Sequence, residues 1–401
     1  MPGFRPFRAI RYAAGTDLDA VIAPPYDVLS DADTDALAAR DPHNIVAIDV
    51  PRGGADRYDV AARTMGDWLA AGVLQADPEP SYTIYRMRFT DATGNPRTIV
   101  GVLGGLEVVD LDAAPGPEGT VLPHERTTAK AVTDRLDLTR ATAANLSPVW
   151  GLSLASGLTE ALEEPGEFLG SLVVDGVDHI VERVTDPARI AAITAVLAAD
   201  DVLIADGHHR YSISRSYRDE VRAASGRDDT EAEYTLTFVN ELVADQLSIE
   251  AIHRVYTGIT PAALRAALAG SFAIEPAPTP TPELLASMVE QGRLVLLTPE
   301  GGAEWLVPLA GAFDGVRDLD GAYLEHALAG TTAEVGYQHG LAEMLQLVGS
   351  GTVTAGILIR PTSLAEIQRT AREGLLMPPK STFFTPKLRT GLVIRPTTGL
   401  S

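Results

Sequence analysis

The spacing of apolar residues changes repeatedly along the chain. Residues 44–50 (NIVAIDV) form a short apolar run that predicts a strand. Residues 57–71 place Val60, Met65, Trp68 and Leu69 along one side of a helix that stops at Gly72. Residues 82–89 alternate, a Thr93-Gly94-Asn95-Pro96 turn follows, and residues 98–109 return, which predicts a hairpin. Residues 201–205 (DVLIA) read as a buried strand and 211–224 as a helix, so Asp206-Gly207-His208-His209-Arg210 falls on the turn between them. Two more strands are expected over 233–241 and 247–256. Beyond them the pattern predicts helices over 261–269, 282–291, 321–329, 339–348 and 364–373, a hairpin over 293–309 and a strand over 352–359.

Strands and helices alternate throughout, so the expected fold is α+β with a mixed sheet and a second, smaller α/β domain. The boundary is placed near residue 260. Residues 1–260 form an N-terminal unit carrying the DGHHR turn, and 261–401 a C-terminal unit ending in a strap, MPPKSTFFTPKLR. Residues 127–144 are polar, with few large apolar positions, and suit a weakly amphipathic helix or a lid.

Composition narrows the function. Of 401 residues, 45% are hydrophobic and 21% charged, which is globular usage and excludes a disordered chain. The net charge of −22 argues against nucleic acid as a partner, since phosphate neutralisation needs a segregated basic patch that the sequence lacks. With no cysteine, disulfides, thiolate catalysis, iron–sulfur clusters and Cys-ligated zinc are excluded. Arg5, Arg8 and Arg11 precede no apolar leader core, and no run approaches the roughly 20 apolar residues of a membrane helix. A cytoplasmic protein with no membrane partner is expected, its oligomeric state left open.

The DGHHR turn is the strongest chemical signal. A helix N-terminus carries unpaired N–H groups and partial positive charge, so it binds anions. Gly207 permits close backbone approach, and His208, His209 and Arg210 add donors suited to phosphate oxygens. Asp206 has three readings: Mg²⁺ ligand, general base or helix cap. The bland alternative is a capped helix with partly buried histidines and a paired arginine, and on these five residues the two stand about level. A zinc site is disfavoured, because adjacent histidines diverge on a helix and no third ligand accompanies them.

Four other clusters carry weaker signals. Pro24-Pro25-Tyr26-Asp27 is a rigid turn that aims an aromatic and a carboxylate, more simply read as an ordinary turn with Asp27 or Ser30 capping the next helix. His124-Glu125-Arg126-Thr127 sets an acid, a base and a cation side by side, or is a solvated turn. His253-Arg254 ends an apolar strand, or is a charge-balanced edge pair. Residues 377–392 gather Lys380, Lys387 and Arg389 with two phenylalanines, or simply strap Phe383 and Phe384 onto the core. No Walker A, GxSxG or kinase catalytic-loop motif is present.

Five segments together, PFRAIRY, APPYDV, HERT through Asn145 and Pro148, IADGHHR and MPPKSTFFTPKLR, resemble the prokaryotic domain-of-unknown-function family 1015 across nearly the whole chain. The DGHHR turn is also similar to the phosphate-binding turn of the ParB/sulfiredoxin-like superfamily, which includes sulfiredoxin, CTP-binding ParB proteins and free serine kinases. The resemblance implies a ParB/sulfiredoxin-like core with large insertions, in which a strand, a Gly-His-Arg turn and a helix cradle nucleotide phosphates.

The resulting expectation is a nucleotide-dependent kinase using ATP or ADP with Mg²⁺ on a small hydroxyl acceptor, free L-serine or a similar amino acid. Glu125, Asp206 and His208 are the expected catalytic residues, with Glu125 or Asp206 as base and Asp206 as metal ligand. Gly207, His208, His209, Arg210, His124, Arg126, Lys130, Arg254, Lys380 and Lys387 are the expected contacts to phosphate or to the acceptor's carboxylate. The competing expectation is a non-catalytic nucleotide-binding sensor or scaffold.

Overall fold

The Tyr82–Thr90 and Pro96–Glu107 strands pair as the predicted hairpin, with Thr83 opposite Leu103 and Thr90 opposite Pro96. In this computed structural model, which describes residues 2–91, 94–110, 120–123, 132–300, 302–377 and 380–399, the hairpin lies inside a mixed sheet of nine described strands. The order runs Val121–Leu122, Val202–Asp206, Val149–Ser153, Tyr234–Glu241, Pro96–Glu107, Tyr82–Thr90, Val177–Val184, Glu167–Val174, with Phe4–Arg5 added to Pro96–Glu107. Val202–Asp206 is parallel to Val121–Leu122 and antiparallel to Val149–Ser153. Separate apolar clusters cover its two faces, one around Trp150, Phe238 and Tyr85, the other around Tyr82, Val202, Ile204 and Tyr211.

A second, antiparallel sheet of six described strands is ordered Phe272–Pro276, Ala303–Pro308, Leu294–Leu297, Ala355–Leu358, Ile252–Thr257, Glu334–His339. The architecture is α+β, two sheets with helices interspersed among their strands along the chain. No described helix is long and apolar enough to cross a membrane.

Several sequence expectations are corrected. Residues 44–50 hold a helical turn, Val46–Asp49, and not a strand. Asn44 Oδ1 accepts the Val46 N–H at 3.1 Å, which starts a turn where an apolar run alone leaves strand and buried helix indistinguishable. In the Arg57–Ala70 helix Val60 is exposed, and Ala61 is buried with Met65 and Trp68. The expected strand over 247–256 is broken at Ala251 into Ser248–Glu250 and Ile252–Thr257, which take different partners. His339 does not open a helix; it ends the Glu334–His339 strand, and the helix is Leu341–Gly349.

The C-terminal segment is stitched back onto earlier parts of the chain through two small two-stranded sheets and two isolated bridges. Phe383–Thr385 pairs antiparallel with Ser248–Glu250, Arg395–Pro396 pairs with Ala144–Asn145, and isolated bridges join Ala23 to Thr390 and Ile10 to Ile394. Phe384 is the main anchor: it is 1% exposed, with its ring 5.6 Å from that of Trp150. Burying a side chain of this size stabilises by about 1.5–3 kcal/mol, so the strap is part of the core.

Candidate functional site

The buried strand Val202–Asp206 ends where Gly207 adopts φ +85°, and the helix His208–Ser225 starts at the next residue. His208, His209 and Arg210 therefore form the helix's first turn, where the sequence pattern had suggested a connecting loop. A Cβ at position 207 would combine a strained left-handed backbone with approaches of 3.2 Å to Arg210 Cζ and 3.3 Å to Val149 Cα. Gly207 supplies no side-chain cap, so the positive end of an 18-residue helix faces the adjoining cavity uncapped by a side chain.

That cavity, about 220 Å³, gathers segments far apart in sequence. Residues 205–210 form one wall, Asp27 and Val28 a second, and Ile252, Tyr337 and His339 of the second sheet a third. Lys380, Thr382, Phe383 and Lys387 of the C-terminal strap close the remaining side.

Charge in the cavity is organised around Arg210, whose guanidinium is 8% exposed. Its Nη1 donates to the Pro148 carbonyl, and its Nη2 lies 3.4 Å from Asp27 Oδ2 and 3.5 Å from Asp206 Oδ2. Nε is buried and has no hydrogen-bond partner among the described residues. Burial opposes the arginine's charge, but Asp27 and Asp206 outweigh it and raise the pKa above the ordinary arginine value. Asp206 also accepts from Gly207 N–H at 2.8 Å and from Lys387 Nζ at 3.1 Å. Burial alone would raise its pKa; Lys387, Arg210 and the hydrogen bonds prevail and hold the carboxyl well below the usual carboxylate range.

A further wall, carrying Tyr337, His339 and Phe383, is aromatic. Antiparallel pairing sets Phe383 opposite Glu250, and after the break at Ala251 the same chain sets Ile252 opposite His339. The two pairings bring the Glu250, His339 and Phe383 side chains together. His339 Nε2 is 2.7 Å from Glu250 Oε2, and the His339 ring stacks on Phe383 at 3.8 Å between centroids. The hydrogen bond with His339 is the main cause that lowers the Glu250 pKa, burial opposing it. Lys387 Nζ lies 4.1 Å from the centroid of the Phe383 ring, a cation–π contact that links this wall to Asp206.

Of the residues expected from sequence, Asp206, Gly207, His208, His209, Arg210, Lys380 and Lys387 all line this one cavity. Arg254 does not: it is 4% exposed, donates to the Lys380 carbonyl at 3.2 Å and lies 4.8 Å from the Tyr337 ring, so it backs the wall. His253 and Arg254 also sit on an interior strand of the second sheet and not on an edge. His124, Glu125, Arg126 and Lys130 lie outside the described residues.

Asp27, His339, Tyr337 and Phe383 are cavity residues that sequence reasoning passed over or gave another role. Asp27 had been read as a possible cap, but Ser30 caps the Asp31–Arg40 helix with a full capping box, which leaves the Asp27 carboxylate to Arg210. The rigid proline pair before it was the available signal. Nothing local marks His339, because its place depends on the pairing of the two sheets' chains.

The sequence matches the family described as "Protein of unknown function (DUF1015)" over residues 4–322. No curated protein matches it. Among solved structures, a conserved hypothetical protein from Pyrococcus furiosus is similar at TM-score 0.36 and 11% identity, covering 66% of this chain and 87% of its own. A free serine kinase in complex with AMP is similar at TM-score 0.37 and 11% identity, covering 70% and 92%. SbnI with a C-terminal truncation, from Staphylococcus aureus, gives 0.36 and 13%, covering 71% and 84%. Likeness this distant carries no argument about chemistry.

Proposed function

Since the chain belongs to the DUF1015 family, whose description names no activity, its chemistry has to be read from the site, and we propose a nucleotide-dependent small-molecule kinase. One observation carries this reading. Arg210, Lys380 and Lys387 converge with a helix N-terminus on a single cavity, in a chain whose net charge is −22. Three cations and a helix N-terminus set against two carboxylates, Asp27 and Asp206, leave the cavity positive in an acidic protein, which favours an anionic ligand. Phosphoryl transfer asks mainly for positioning and charge neutralisation, both of which these groups can supply.

The cavity is smaller than the roughly 300–1,000 Å³ typical of pockets that enclose a whole ligand. It suits the phosphate end of ATP or ADP beside a small hydroxyl acceptor such as free L-serine. On this reading Gly207, His208, His209 and Arg210 hold phosphate oxygens, and Lys380 and Lys387 bind either phosphate or the acceptor's carboxylate. The strand, Gly-His-His-Arg and helix order around residue 207 supports a ParB/sulfiredoxin-like core within the large sheet. The unit spanning 1–260 supplies the phosphate turn, and 261–401 supplies the strap.

Mg²⁺ enters only as the ion accompanying the nucleotide. Asp206 already accepts from Gly207, Lys387 and Arg210, and among the described residues no group of three His, Asp or Glu side chains could hold a metal. A carboxylate held below its usual range is also a weak proton acceptor, which favours an orienting role for Asp206 over that of base.

The test is calorimetric titration with ATP, ADP, CTP and pyrophosphate, followed by phosphorus NMR with a panel of hydroxy amino acids. Binding by wild type, its loss in Arg210→Ala and transfer to one acceptor are expected. Tight binding with no transfer to any acceptor would instead assign the protein as a nucleotide sensor.

A further inference from the structure

A kinase acting on a hydroxyl needs a group to take the acceptor's proton, and His339 is placed for that role. His339 lines the same cavity as the first turn of the His208–Ser225 helix. Nε2 is tied to Glu250 Oε2 at 2.7 Å, and the ring face is fixed against Phe383 at 3.8 Å. A carboxylate accepts the Nε2–H, so in the neutral ring the lone pair lies on Nδ1. Among the described residues Nδ1 has no hydrogen-bond partner. Glu250 is itself oriented, with Thr385 Oγ1 donating to its Oε1 at 3.2 Å. A cavity-lining histidine fixed at one nitrogen by an anchored carboxylate, with its other nitrogen unbonded among the described residues, has the arrangement of a general base. His339 also lies beyond residues 4–322, so the family match does not cover it.

We propose that His339, positioned by Glu250, is the general base of the transfer. The inference rests on the kinase reading above. His339 Nδ1 takes the proton of the acceptor hydroxyl as its oxygen forms the new bond to the transferred phosphorus. The bond from that phosphorus to the bridging oxygen of the nucleoside polyphosphate breaks, its electron pair staying on the departing nucleotide. The helix N-terminus and Lys387 are placed to meet the leaving group's charge, and the proton passes from His339 to solvent after release.

The experiment compares full-length wild type, His339→Ala, His339→Gln and Glu250→Gln for transfer from ATP or ADP to hydroxyl acceptors, with nucleotide titrations in parallel. The kcat of both His339 variants is expected to fall by about 10²–10⁴-fold, the usual contribution of general-base catalysis, with nucleotide Kd changed by less than about threefold. Added imidazole should restore part of the rate in His339→Ala alone. Glu250→Gln should lower kcat by a smaller factor while the acceptor's KM stays near wild type. A His339 variant that keeps wild-type kcat overturns the assignment and leaves the kinase reading intact. Parallel loss of nucleotide affinity and kcat without imidazole rescue makes His339 a structural part of the wall, which also overturns it. A wild type that binds nucleotide but transfers to no acceptor overturns the kinase reading itself, and the base assignment with it.

Discussion

Lys387 Nζ lies 3.1 Å from Asp206 Oδ2, joining two residues 181 positions apart. The pair ties the C-terminal strap to the Asp206–Arg210 turn, and both side chains are largely withdrawn from water, at 18% and 25% exposure. Lys387→Met should therefore do two things. It should destabilise the fold at pH 7 by about 1–3 kcal/mol, between the values for exposed and buried pairs. It should also weaken nucleotide binding by removing a cavity cation. Asp206 has a depressed pKa in the folded state, so its contribution is present above the unfolded carboxylate range and is lost as pH falls through the folded value. Urea unfolding should accordingly separate the variant from wild type at pH 7 and bring the two together at strongly acidic pH.

Gly207→Ala tests the backbone geometry of the turn. The substitution places a Cβ at φ +85° and within 3.3 Å of the Arg210 guanidinium carbon and Val149 Cα. A left-handed non-glycine residue costs about 1–2 kcal/mol, and Arg210 must move to make room. Thermal melts should show modest destabilisation. Calorimetry should show a larger loss of pyrophosphate and nucleotide affinity than the stability change alone would produce.

The sequence foretold the elements whose pattern is local, and it missed those defined by pairing. The 82–109 hairpin, the 57–71 helix and the strand before Asp206 could be read from period and turn residues, since each closes on near neighbours. The cluster of Asp206 to Arg210 with Lys380 and Lys387 was also legible, because those residue types stand out in an acidic chain. Asp27 and His339 were not. Asp27 joins the site only because Arg210 reaches across from another element, and His339 only because the Ser248–Thr257 chain breaks at Ala251 and pairs with two partners in turn. The 44–50 run shows the same limit: Asn44 converts an apolar stretch into a helical turn, which brings the buried Asp49 to the Arg135 guanidinium and a Ser147 hydroxyl.

Phe384→Ala should release the strap. The ring is packed against Trp150, and truncating a buried phenylalanine costs about 3–5 kcal/mol. Because Phe383 and Lys387 flank it on the same segment, loss of the anchor should also loosen the cavity wall. Hydrogen exchange is the direct measurement. Faster exchange is expected at residues 383–385 and 248–250, which pair with each other, with the hairpin of Tyr82–Thr90 and Pro96–Glu107 unchanged.

Acid stability should respond to a buried histidine next to the cavity wall. His253 is 3% exposed, and its Nδ1 accepts the Ile359 N–H at 3.2 Å. Burial, followed by the charges of His339 and Arg254, pushes its pKa down to about 4 from an ordinary 6.5. The folded protein keeps this ring neutral where the unfolded chain protonates it. Its stabilising contribution is therefore complete above pH 6.5, falls as pH drops from 6.5 towards 4, and changes no further below that. At about 1.4 kcal/mol per unit, the window amounts to about 3 kcal/mol. His179, buried and pushed down to about 3, adds a second loss over a similar range. His253→Gln retains an acceptor for the Ile359 N–H without the titration. Denaturant unfolding at pH 7 and pH 4.5 should show wild type losing more stability on acidification than the variant, by about 2–3 kcal/mol, and equal losses would mean that His253 is protonated in the fold.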